Sequence, residues 1–211
     1  MPVTVTNHIV RCFTNLTAAL KELQPLVVND GAKHLWNGRP FANFGDVRSR
    51  ELLANWLMCI AVNSGLGSER LTITSQPSGL DGDGVILDTV TGEVVLTEHV
   101  LVPKQHGGPG VDVAALILAA VEHKHAKGAA YGSGRTLVVF REATGEPWLP
   151  KHVAERLPSD LAFDAVWVVG LEKVEDGQYT YWVTRLDLSQ GIPPVWYVTI
   201  ACDFNSWTVH S

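Results

Sequence analysis

Asp83 and Glu98 stand near the two outer ends of a segment, Gly79 to Lys104, that reads GLDGDGVILDTVTGEVVLTEHVLVPK. On either side of Val90-Thr91-Gly92, Gly84 to Thr89 and Glu93 to Val102 have strand character, so the segment predicts a hairpin. Closed on Val90-Thr91, the hairpin sets Asp83 opposite Glu98; closed on Thr91-Gly92, Glu98 moves to one diagonal. In both registers the two carboxylates share a face. Like charges on one sheet face are held there most easily by a divalent cation, and oxygen donors of this kind suit Mg²⁺ or Mn²⁺. Such an ion polarises a phosphoryl oxygen and lowers the pKa of a bound water, the basis of metal-assisted phosphodiester hydrolysis. The competing reading is a solvated acidic hairpin in which Asp81 and Asp83 serve the glycine-rich turn.

The elements around this hairpin alternate. A first helix is predicted over Asn15 to Leu26, with Leu16, Leu20 and Leu23 on one stripe. A second runs from Asp46, as its cap, to Val62, with Leu52, Leu53, Trp56, Leu57, Ile60 and Ala61 at helical spacing. Leu71 to Thr74 is a short strand. After a loop at 104–110 come a helix over Val111 to Lys127, a strand at Thr136 to Phe140, a short helix over Lys151 to Leu157 and a strand at Ala165 to Gly170. Gln178 to Asp187 and Val195 to Asp203 are strand-like and aromatic. The alternation predicts an α/β fold, a central mixed sheet flanked by helices.

Composition fits one domain spanning the whole chain, with a core at 46–142 and a strand-rich extension at 143–211. Of its 211 residues 46% are hydrophobic and 18% charged, ample for a packed core. Three widely spaced cysteines suggest neither a disulfide framework nor a zinc site, so a reducing cytoplasm is expected. No apolar run approaches the ~20 residues of a spanning helix, so no membrane role is expected. A net charge of -6 argues against nonspecific coating of nucleic acid but leaves room for local basic contacts around an acidic centre.

The order of these features resembles the PD-(D/E)xK, or restriction endonuclease-like, nuclease superfamily. The resemblance rests on Asp83-Gly84 opening one strand, the hairpin, Glu98 in the next strand, the alanine-rich helix ILAAVEHKHAK from Ile117 to Lys127, and the strand RTLVVF from Arg135 to Phe140. It implies a restriction endonuclease-like core, Asp83 and Glu98 as metal ligands, and hydrolysis of DNA more than RNA. One departure stands out. The family usually places Lys two residues after the strand acid, where this chain has Val100.

Lys104 shares that face but lies roughly 20 Å along the strand, too far to substitute. Relocation to the following helix makes Lys124 or Lys127 the basic group, and Lys127 with Tyr131 resembles the Gln-x-x-x-Tyr motif of the RecB-like branch, with Lys for Gln. Glu51, on the preceding helix, is the matching auxiliary acid, or a first-turn acid serving the helix dipole. Arg48, Arg50, Lys104 and Tyr131 are the candidate nucleic-acid contacts. The alternative is a nuclease-fold protein that no longer cuts and serves binding or assembly. The aromatic C-terminal strands are candidates for homodimer contact.

Other chemistries fit less well. Gly132-Ser133-Gly134-Arg135-Thr136 leads into a strand where a phosphate loop needs a helix N-terminus. His123 and His125 point about 200° apart on a helix and cannot chelate one ion, and strand alternation turns His99 away from Glu98. His106 stands in the loop beyond.

Overall fold

The computed structural model describes residues 15–28, 49–74, 82–103, 110–142 and 147–211. Helix α1 (Leu16–Val28) is capped by Asn15, whose Oδ1 accepts from the Thr17 and Ala18 amides. Helix α2 (Ser49–Leu66) is buried at every position from Arg50 to Ala61. A helix apolar on all sides has to be wrapped. The sheet curls to do so, and α2 touches β1 (Leu71–Thr74), β2 (Gly84–Asp88), β4 (Arg135–Arg141), β6 (Gln178–Arg185), β7 (Val195–Ile200) and β8 (Trp207–His210). Trp56 of α2 meets Trp207 edge-on, with centroids 5.2 Å apart, and its indole N–H donates to the Leu16 carbonyl.

The eight strands lie side by side in chain order, β3 being Val94–Val102 and β5 Ala165–Glu175. β3, β4 and β5 are parallel and every other neighbour pair is antiparallel, so the sheet is mixed. The crossover from β3 to β4 carries α3 (Val113–His125) and the single turn α4 (Ala129–Gly132); that from β4 to β5 carries α5 (Pro150–Ala154). The central strands are buried on both faces. Val138 and Phe140 join the core beneath α1 and α2, whereas Leu137 and Val139 join the core beneath α3 and α5. No helix among the described residues is long and apolar enough to cross a membrane.

Several predicted boundaries move. The hairpin closes through a longer loop than expected: the Asp88 amide donates to the Glu93 carbonyl, and Asp88 Oδ1 accepts from the Val90 and Thr91 amides. The pairing Gly84↔Thr97 nevertheless keeps the register expected for closure on Val90-Thr91. Helix α3 begins two residues late because Asp112 caps it, accepting from the Ala115 amide. The strand expected over Val195 to Asp203 stops at Ile200. There the Asp203 side chain accepts from the Asn205 amide and Phe204 takes a φ of 54°, which turns the chain back into β8. The Asp46 cap lies outside the described residues.

Candidate active site

Asp83 sits at the mouth of β2, where the ladder stops being regular. Its amide donates to the Thr97 carbonyl, and its carboxylate accepts from the His99 amide at 2.9 Å, so a side chain takes the place of a ladder carbonyl. Gly82, at a φ of 143°, makes the entry: a Cβ there would stand 3.3 Å from the Thr97 carbonyl. With Gly84 paired to Thr97, the next residue outward, Asp83, comes opposite Glu98.

Glu98 lies on the face of β3 that α3 covers, and only 5% of it is exposed. Its Oε1 accepts from the Lys124 ammonium at 2.5 Å and from the Tyr131 hydroxyl, and its Oε2 is 3.7 Å from Arg135. Lys124 and Lys127 both reach the Tyr131 oxygen, at 3.2 and 3.1 Å. Lys124 comes from the last turn of α3 and Tyr131 from α4, while Arg135 opens β4. Thus both parts of the β3–β4 crossover return to the acid that precedes it. Val100, which occupies the position two after Glu98, packs with the apolar core under α3.

The opposite face carries a second polar group. Asn55 of α2 donates to Thr97 Oγ1 at 3.1 Å, and His99 Nε2 lies 3.2 Å from Asn55 Oδ1 and 3.1 Å from Thr97 Oγ1. A Cβ on Gly84 would meet Asn55 Nδ2 at 2.2 Å and Thr97 Oγ1 at 2.8 Å. Glycine at this position therefore makes room for the network. The segment that carries both acids is in this way fixed to α2 from behind.

The two carboxylates titrate in opposite directions. Burial raises Asp83 above the usual carboxylate range, and the charge of Glu98 and a hydrogen bond with it add to the rise against the lowering by the His99 amide. Burial also works to raise Glu98, but the hydrogen bonds from Lys124 and Tyr131 outweigh it and hold Glu98 low. Burial and then Glu98 push the Tyr131 hydroxyl up, so it remains protonated and donates. Burial, followed by the charges of Arg50 and Lys124, keeps His99 neutral.

Of the expected site residues, Asp83, Glu98, Lys124, Lys127 and Tyr131 gather in one place. Glu51 and Arg50 stand on the preceding helix. They are buried in the first turn of α2, 3.7 Å from each other, on the side of the sheet that faces Thr97 and His99. Arg50, expected to meet nucleic acid, is 6% exposed, because the sheet wraps this helix. Arg48, Lys104, Asp81 and His106 lie outside the described residues. As expected, His99 faces away from Glu98; His125 turns to Asp160, 3.5 Å away.

Three contributors escaped the sequence reading. Arg135 sits at the start of β4, in register with Leu96 just before Thr97-Glu98. Asn55 and Thr97 make the rear network. A signal existed for Asn55, since an amide set among the apolar residues of a helix needs a buried partner. Among the described residues no three His, Cys, Asp or Glu side chains gather to hold a metal ion. Mg²⁺ commonly takes only one or two carboxylates and fills its shell with waters and substrate phosphate, and the Asp83–Glu98 pair fits that requirement.

No family model matches the chain, and no curated protein or solved structure is significantly similar to it.

Proposed function

We propose that the protein is a metal-dependent phosphodiester hydrolase acting on nucleic acid, DNA in preference to RNA, with a core of the restriction endonuclease-like type. The observation that carries this reading is the meeting of Asp83, Glu98 and Lys124, from a strand mouth, a strand and a helix, with Glu98 and Lys124 buried and Asp83 half-buried. The order hairpin, helix, strand, with Asp83 opening the first strand of the hairpin and Glu98 in the second, is the order the family resemblance implies and supports the reading further.

Asp83 and Glu98 would hold Mg²⁺ or Mn²⁺, which when bound supplies Lewis acidity to a phosphoryl oxygen and acidifies a bound water. The chain's own groups do the rest. A ligand carboxylate has to be ionised, so a bound cation would work against the upward push that burial gives Asp83. Lys124 fills the role of the missing strand lysine from the helix, with its ammonium beside Glu98, where it can stabilise charge developing on the phosphate. Tyr131 donates to Glu98 and fixes its orientation. Glu51, 3.7 Å from Arg50 in the first turn of the preceding helix, remains the candidate auxiliary acid.

One observation favours a second reading, a nuclease-fold protein that binds without cutting. The 2.5 Å pair between Lys124 and Glu98 already balances the acid without a cation. Incubation with plasmid and single-stranded DNA in Mg²⁺ and in Mn²⁺ separates the two. The hydrolase reading expects cleavage that Asp83→Ala abolishes. Absence of cleavage by the wild type, or equal cleavage by the variant, sinks it.

A further inference from the structure

Basic side chains are the minority in this chain, 16 Lys and Arg against 22 Asp and Glu. Yet three of them converge on a single aromatic ring. Lys127 Nζ lies 4.4 Å from the Tyr131 ring centroid, Arg135 Cζ 5.3 Å and Lys124 Nζ 5.8 Å. The acids facing them are Glu98, which already binds Lys124, and Asp83 beyond it. One helix end, one helical turn and one strand start bring the cations together in a chain that is negative as a whole.

We infer that Lys127 and Arg135, both set against the Tyr131 ring, form a phosphodiester-binding subsite next to the carboxylate pair, receiving the backbone of single-stranded DNA. This rests on the hydrolase reading for the identity of the ligand and not for its geometry. Lys124 is buried against Glu98 and belongs to the carboxylate site itself, so it is not counted in the subsite. Lys127 is exposed and anchored through its 3.1 Å bond to the Tyr131 hydroxyl. Arg135 is partly exposed and forms a 3.7 Å ion pair with Glu98 Oε2. A planar guanidinium takes a phosphate through two parallel N–H donors, while a lysine acts as a point charge. One phosphate bound there would stand beside Glu98, which places the neighbouring ester bond at the carboxylates.

The test is binding of a fluorescein-labelled single-stranded deoxyoligonucleotide in EDTA, followed by anisotropy over a range of salt concentrations, with the fold of each variant checked by circular dichroism. Each phosphate neutralised on a single strand contributes about 0.7 to the slope of log affinity against log salt. Arg135→Gln and Lys127→Gln are each expected to weaken binding several-fold and to reduce the slope by about 0.7. Arg135→Lys should weaken binding while leaving the slope unchanged, because the charge stays and the two-pronged donor is lost. Lys151→Gln, at an exposed position on α5, should change neither. Wild-type affinity and slope in both glutamine variants, or no binding by the wild type in EDTA, overturns the subsite. Binding that follows this pattern in a protein that cuts nothing leaves the subsite standing and removes the hydrolase reading.

Discussion

At the scale of single residues, Asp83 and Glu98 differ by what touches them. Glu98 receives an ammonium and a phenol, whereas Asp83 receives one backbone amide and faces a like charge. The signs of their pH effects are therefore opposite. With its pKa raised on folding, Asp83 contributes stability below the unfolded carboxylate range that is lost as pH rises through the folded value; Glu98, held low, contributes stability above that range that is lost as pH falls. Asp83→Asn keeps the acceptor for His99 and supplies an amide donor toward Glu98. In EDTA at neutral pH it should raise the melting temperature by about 2–4 °C, the shift that about 1 kcal/mol gives in a chain of this length. The gap to the wild type should close below about pH 4, where Asp83 is protonated in both folded and unfolded chains. A melting temperature at or below the wild-type value at pH 7.5 would remove the like-charge account of the pair.

At the scale of elements, the hairpin was legible because strand periodicity is two and register parity alone decides which acids share a face. The loop within it was not, since an Asp88 side chain bonded to Arg70, Val90 and Thr91 replaces a two-residue turn by a longer one without changing that parity. The rotational setting of α3 on the sheet, which decides between Lys124 and Lys127 at Glu98, depends on the packing of Val113, Ile117 and Val121 in the core; those residues announce a helix but not what it faces. Arg50 looked like a surface cation because nothing local shows that a sheet will curl around its helix. The rear network makes a sharp demand on one residue. Gly84→Ala would drive its methyl into Asn55 and Thr97 and is expected to cost about 1–3 kcal/mol, the usual range for overpacking. Asn55→Ala relieves part of that clash, so urea denaturation of the double variant should show a loss smaller than the sum of the two single losses. Strict additivity would mean that the two positions do not press on each other.

At the scale of the molecule, the site lies where two cores meet through one layer of backbone. The core of α1 and α2 takes Val138 and Phe140 from β4, and the core of α3 takes Leu137 and Val139 from the same strand. Neither side can lose its packing without exposing half of β4, so both should unfold in one cooperative step. Ile117, buried without exposure beneath α3, is the place to ask. Ile117→Ala should cost roughly 2–5 kcal/mol and lower the melting temperature by roughly 5–15 °C. Hydrogen exchange read by mass spectrometry decides whether the loss is shared. If the molecule is one unit, peptides from α2, on the far face, lose protection by the same free energy as peptides from β4. If α2 keeps wild-type protection while α3 opens, the chain holds two stability units, and the carboxylate pair is mounted on their boundary and not within a single core.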